Sequence, residues 1–501
     1  MSANQSKNSG FANYLKYIPS KSLSLEFIKS NDGDFFKTAG ERLIFKLLDG
    51  ALENCRRAML AGVYSEESLS RNFLCIAVWR ELKSDYEKKL ESALSLVNVI
   101  NATGIAIHTN LGRAPAGRQF AHFDSGRYSN LEFDLETGMR GRRDDHLKGL
   151  LTSITGAEDA ICVNNNAAAV LLISSALAAG GDIIVRRSES VEIGEGFRIN
   201  EMIKAGGARI IDTGATNSCN LSDYHKDITP ECRVAARIHT SNYRIRGYVK
   251  SLDDQEFLDF CRKYGIISYY DLGSGLLNNE ILSNKELAAG EAEVKGLIAA
   301  GFDLVSFSCD KLLGSSQAGI ICGKKELISV LRKHQLYRAL RVSKDTIAAL
   351  QAAFAVYLYS DYAKNIPVVK MLNESYETIG ARCLLLFSII QKLDSYKTAA
   401  VENKIVKFEI AAAHAAAGGG TTPEKKMSNP AIHIKLGEDV PENATLEYVA
   451  REMRMSKQRV VGYIDSDSYI LNLRTVFDDE IEMIVKAIDS LLQSIIKIKS
   501  C

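Results

Sequence analysis

Between residues 159 and 323 the chain repeats one pattern: a short apolar run, a polar or glycine-rich stop, then a longer periodic stretch. The runs are "DAICVNNN", "GDIIVRRSE", "ARIIDTG", "RVAARIHTSN", "GIISYYDLGSG" and "FDLVSFSCDK", and Ile320 and Ile321 after Gly319 begin another. Runs of this length, rich in β-branched residues, predict strands. "AAAVLLISSALAAG" and "DQEFLDFCRKYG" have the length and spacing of intervening helices. Alternation of this kind predicts a mostly parallel sheet with helices on both faces. Ligands of such sheets gather beyond the carboxyl ends of the strands. The polar stops are therefore where chemistry is to be sought.

The flanks read differently. "ERLIFKLLDGALENCRRAMLAG" and "SRNFLCIAVWRELKSDYEKKLESALSLVNVI" place apolar residues three and four apart, which predicts helices. Their mixed charges suit a solvated face. A helical region near 344–395 precedes "AAAHAAAGGGTTPEKKMSNPA", whose glycines predict a flexible loop. "AIHIKLG", "RVVGYIDSDSYILNLRTV" and a last helix predict a small α+β unit. The expected organisation is a helical domain over 1–95, an α/β domain over 96–345, and linking helices with the α+β unit over 346–501.

Composition narrows the classes. The 501 residues carry a formal net charge of +1, so no general attraction to nucleic acid or anionic lipid follows. The ten cysteines form no CxxC pair or Cys/His cluster, so neither a zinc site nor a disulfide framework is expected. Reduced thiols, no signal-peptide pattern and no membrane-length apolar run predict a cytoplasmic protein.

The strand ends offer a set of groups. Asn164, Asn165, Asn166 and Ala167 open a helix, where free N–H groups and the helix dipole suit a phosphate. His239 ends a second strand, Asp271 a third, and Ser308 and Lys311 a fourth. A phosphate cradle, a carboxylate and a lysine on neighbouring strands are what pyridoxal 5'-phosphate requires: Lys311 for the Schiff base, Asp271 for the pyridine nitrogen, Ser308 for the phosphate. Taken singly, Asp271 reads equally well as a helix N-cap and the asparagines as an ordinary capped turn.

"VINATGIAIHTNLGRAP", "YSNLEFDLETG", "VNNNAAAVLL", "IHTSNYRIRGY", "DLGSG" and "SFSCDKLLGSSQAGIICGKKELI" strongly resemble the bacterial selenocysteine synthases, the L-seryl-tRNA(Sec) selenium transferases. The resemblance runs from about 95 to 345 and resumes at "RVVGYI" and "LNLRTV". It implies a fold-type I pyridoxal-phosphate enzyme, aspartate-aminotransferase-like, acting on tRNA(Sec) charged with serine. It also implies selenophosphate as donor, a tRNA-binding N-terminal domain, and a homo-oligomer built as a ring of dimers. Lys311 matches the Schiff-base lysine, and Arg113, Arg338 and Arg341 match arginines that hold selenophosphate. On a helix, Arg338 and Arg341 would share a face, whereas Arg332 and Lys333 read as a solvated surface.

The chain departs from the family at Cys309, Ser315, Ser316, Arg142 and Asp144. Cys309 reads as a small filler or a reactive thiol. Two alternatives stand beside the transferase: a pyridoxal-phosphate lyase of a small amino acid or amino sugar, and a tRNA-binding relative without catalysis.

Overall fold

The computed structural model describes residues 15–64, 69–117, 123–124, 126–283, 285–288 and 291–500. The chain divides between Asn98 and Val99 into two compact units.

The first unit is helical: Lys21–Asn31, Gly33–Ala39, Glu41–Leu60 and Arg71–Ala93. Ser20, Asp32 and Ser70 each accept a backbone N–H at a helix start, supplying acceptors that the first turn lacks. Ile28, Ile44, Leu48, Met59, Leu74, Val78 and Leu82 are packed together out of water. The helix expected to run to Ile100 stops at Ala93. Its successor residues are recruited elsewhere: Ile100 and Asn101 pair in parallel with Val460 and Val461.

The second unit is built on a seven-stranded sheet. In chain order its strands are β1 (Asp159–Val163), β2 (Asp182–Arg186), β3 (Arg209–Thr213), β4 (Cys232–Ile238), β5 (Ile267–Gly273), β6 (Leu304–Ser308) and β7 (Gly319–Gly323). Across the sheet they lie in the order β1-β7-β6-β5-β4-β2-β3, and β7 is antiparallel to both its neighbours. Six of the seven strands, all but the edge strand β3, are buried along all or most of their length, as expected where helices cover both faces. The β5–β6 register slips between Ser306, opposite Asp271, and Phe307, opposite Gly273. That bulge lies beside Asp271, at the carboxyl edge of the sheet.

A second sheet has five strands and overturns the flexible-loop expectation. Val406–Gly418 and Thr421–Leu436 form a long antiparallel hairpin, so the alanine and glycine run is strand and turn. Close packing decides this against the weak strand preference of alanine. Strand Ile105–Ile107 runs parallel to the hairpin at Ala416 and Gly418. A Cβ on Gly418 would lie 2.4 Å from the Ile105 side chain, and this glycine has φ +81°. Gly419 and Gly420 also take positive φ, which closes the turn.

The region near 344–395 is helical in pieces, Lys344–Tyr359, Pro367–Asn373 and Tyr376–Ile390, with Pro367 and the Ser375 cap marking restarts. Arg332 is not on a solvated face. Its guanidinium bonds both oxygens of Asp159 at 3.1 Å and Asp144 at 2.9 Å, in a site almost closed to water. Asp144, one of the departures from the family, also accepts from Tyr337, so it is bound into the fold. No helix among the described residues is long and apolar enough to cross a membrane.

Candidate active site

The carboxyl ends of β1, β4, β5 and β6 converge on one cavity of about 270 Å³. Asn165, Asn166, Ala167, His239, Asp271, Ser308, Lys311 and Arg113 all line it. Of the strand-end residues singled out in the sequence all but Asn164 are thus brought together, and Arg113 with them.

Asp271 lies within β5, buried, so it is not a helix N-cap. Burial pushes its carboxyl up to about 6, opposed by the Asn166 hydrogen bond and by the Lys311 and His239 charges. Asn166 Nδ2 donates to Asp271 Oδ1 at 2.6 Å. Burial also lowers the Lys311 ammonium below its ordinary value, while Asp310 and Asp271 hold it up. A buried acid and a buried amine face one cavity.

The asparagine turn is a cap and more than a cap. Asn164 N–H bonds the Leu340 carbonyl, and Asn165 caps helix Asn166–Leu177 through the Ala168 N–H. The first N–H groups of a helix have no partner within it, and here the first two helical residues, Asn166 and Ala167, line the cavity. Gly319 lets β7 pass this turn: a Cβ there would sit 2.3 Å from the Asn165 carbonyl oxygen. Gly275, at φ +73°, likewise passes the Ser308 carbonyl, which a Cβ would meet at 2.1 Å.

Two participants had no role assigned from sequence. Asp310 pairs with Arg113 at 2.6 Å. Glu291 reaches within 3.2 Å of His239 Nε2, and both side chains are largely buried. Asp310 is adjacent to Lys311, a signal that proximity alone could have raised. Glu291 lies in a loop, with nothing local to mark it.

Arg338 and Arg341 do not line this cavity. They line another, of about 290 Å³, with Arg140, Arg142, Arg143 and Glu132. The shared helical face is also not formed. The helix ends at Ala339, and the Leu340 carbonyl is taken by Asn164 instead of continuing it. Glu132 collects Arg140, Arg143 and Arg341 at 3.1, 3.1 and 3.3 Å. Cys309 is fully buried and its thiol is pushed well above its ordinary value, which suits a filler.

The L-seryl-tRNA selenium transferase family matches residues 99–477. The chain belongs to this family. An L-seryl-tRNA(Sec) selenium transferase of Carboxydothermus hydrogenoformans is 38% identical over 409 residues, 81% of this chain and 84% of that one. That of Aquifex aeolicus is 36% identical over 413 residues, covering 81% and 87%. That of Geotalea daltonii is 34% identical over 491 residues, covering 96% and 100%. Among solved structures, a D-glucosaminate-6-phosphate ammonia-lyase shares the fold, with TM-score 0.55 at 16% identity, covering 81% of this chain and 99% of that one. The second unit thus has the fold-type I architecture, and the family's cofactor is pyridoxal 5'-phosphate.

The residues fit that cofactor. A cationic ring nitrogen needs a buried anion, and Asp271 is one; its phosphate needs donors, and the helix start and Ser308 offer them. Asn166 Oδ1 and Ser274 Oγ are buried polar atoms without hydrogen-bond partners in the protein. Among the described residues no His, Cys, Asp and Glu cluster could hold a metal ion.

Proposed function

We propose that this chain is the selenium transferase of its family, converting seryl-tRNA(Sec) to selenocysteinyl-tRNA(Sec) with selenophosphate as donor. The observation that supports it most is the meeting of Lys311 and buried Asp271 in one cavity, inside the segment that matches the family. The reaction removes the β-hydroxyl of the seryl group and adds selenium at Cβ. Pyridoxal phosphate, when bound, supplies the electron sink that makes the Cα proton acidic.

The residues divide the remaining work. Asp271 stays anionic against a cationic ring nitrogen. The N–H groups of Asn166 and Ala167 and the Ser308 hydroxyl hold the phosphate. His239 borders the ring. Lys311, its ammonium destabilised by burial, carries the cofactor and exchanges the proton at Cα. Arg113 offers a guanidinium to the donor anion, and Arg338 and Arg341 offer planar forks of the same chemistry. Their separate cavity is consistent with a second copy of the chain in a ring of dimers bringing them to a neighbour's Lys311 site. The helical first unit contacts the tRNA, and the protein works in the cytoplasm.

Incubation with selenophosphate and either seryl-tRNA or a panel of free amino acids tests the reading. Product from seryl-tRNA alone is expected, and Lys311→Ala should abolish both product and the absorbance of lysine-bound cofactor. Turnover of free amino acids without seryl-tRNA product would replace this reading with a lyase.

A further inference from the structure

Three consecutive asparagines at the end of β1 divide into three tasks. Asn164 is exposed and engages Leu340 through its backbone, and Asn165 caps the helix. Asn166 turns its amide away from the phosphate position and into the sheet edge, where Nδ2 meets Asp271 Oδ1 at 2.6 Å. The amide orientation is fixed by chemistry, because a carboxylate accepts and only the NH₂ end can donate. We propose that Asn166 is a positioning residue for Asp271. It holds one carboxylate oxygen so that the other is presented to the ring nitrogen, and it keeps the carboxylate charged. The proposal rests on the reading that this cavity holds pyridoxal phosphate.

The surroundings show why such a device is needed. Asp271 is buried at the cavity wall, and burial favours its neutral form, which could not pair with a cationic ring. Groups facing it are few. Lys311 approaches from the segment after β6, and His239 follows β4, its backbone N–H on the Asp271 carbonyl and Glu291 beyond its ring. Tyr269, two residues back on β5, donates no bond to it and instead contacts Ser306. Asp310 acts on Lys311 and is itself paired with Arg113. The Gly273 backbone N–H also bonds the Asp271 carboxylate, and among the neighbouring side chains Asn166 is the one that does so. Its own Oδ1 is buried without a partner, so the amide is held by the Asp271 contact.

The test uses the full-length, cofactor-free chain as wild type, Asn166→Ala, Asp271→Asn and the double variant. Alanine at the first helical position keeps the helix, which Asn165 caps. Binding of pyridoxal phosphate and of pyridoxal, which lacks the phosphate, is measured by equilibrium dialysis from pH 6 to 8.5. Asn166→Ala should weaken both ligands about tenfold near neutral pH, as for a lost hydrogen bond to a charged group. Raising the pH should restore part of the loss, because the unassisted carboxyl ionises higher. In the Asp271→Asn background the alanine change should have no further effect. The Asp271 carboxyl band, from infrared difference spectra against Asp271→Asn, should titrate at higher pH in Asn166→Ala. Loss confined to pyridoxal phosphate, additive losses in the double variant, or an unmoved carboxyl band would overturn the proposal. A wild type that binds neither ligand would instead overturn the cofactor reading.

Discussion

Asp310 holds Arg113 at 2.6 Å, one residue before the lysine at the centre of the cavity. The carboxylate is buried and the guanidinium about two-fifths exposed, so the pair anchors an arginine that still reaches solvent. Arg113 takes φ +66°, a left-handed conformation that its surroundings maintain. Asp310→Asn should cost about 1 kcal/mol or less, given that exposure. It should raise KM for selenophosphate several-fold while the lysine-bound cofactor absorbance persists. Loss of that absorbance with KM unchanged would place the effect of Asp310 on Lys311.

Asp271 predicts a pH-dependent conflict between stability and catalysis. Its folded-state carboxyl is raised from 3.8 to about 6, so the protein favours the protonated form. The contribution to stability is complete below pH 3.8 and is lost as pH rises through about 6. A displacement of that size corresponds to about 3 kcal/mol. Cofactor-free Asp271→Asn should therefore melt higher than wild type at pH 8, with the gap closing towards pH 4, yet turn over far more slowly. A variant no more stable than wild type at pH 8 would contradict the burial argument.

Gly319→Ala tests the close passage of β7 over the asparagine turn. The new methyl would lie 2.3 Å from the Asn165 oxygen, and backbone cannot yield as a side-chain tip can. Overpacking of this kind costs roughly 1–3 kcal/mol. The melting temperature should fall, and pyridoxal phosphate affinity should fall with it because the turn carries Asn165, Asn166 and Ala167. Normal affinity in a destabilised variant would separate the turn from the cofactor site.

Arg338→Ala and Arg341→Ala should spare loss of the seryl hydroxyl and impair selenium addition. Each charge-assisted hydrogen bond to the donor is worth roughly 1.5–3 kcal/mol, so a tenfold or greater rise in apparent donor Kd is expected. Lysine should rescue only in part, since a point charge lacks the fork. Single-turnover assays that follow the two halves separately make the comparison. Equal impairment of both halves would tie these arginines to the fold or the tRNA.

Removal of residues 1–98 should leave a second unit that binds pyridoxal phosphate, because the chain divides at that point and its core lies on either side of it. Binding of tRNA(Sec), followed by gel shift, should be lost. Full retention would assign the tRNA surface to the second unit.

The strands of the main sheet were legible because each is a short apolar run with a polar stop, and burial on both faces leaves that signature intact. The residues that line the cavity were legible for a related reason: Asn165, His239, Asp271 and Ser308 stand at those stops. What the sequence concealed depended on distant partners. The alanine-rich stretch at 411–417 carries only a weak strand preference of its own and is placed by residues 426–431 of the other hairpin strand and, at Ala416, by Ile105. Arg332 looked like surface until Asp144 and Asp159 enclosed it. Glu291 joins His239 from a loop 52 positions later, a distance no local pattern can report.

The pairing of Ile105–Ile107 with the hairpin at Ala416 and Gly418 carries a consequence for synthesis. The strand leaves the ribosome early and then waits for about three hundred further residues before its partner exists. The loop immediately after it delivers Arg113 to Asp310, so one short segment is held at one end by the main-sheet domain and at the other by the late hairpin. The main sheet can form while the chain is still growing, whereas the five-stranded sheet is assembled last. A nascent chain halted before residue 406 would thus carry Lys311, Asp271 and the Asp310 partner of Arg113 but leave Ile105–Ile107 without its neighbour. Completion of the polypeptide is itself the step that gives this early strand its place in a sheet.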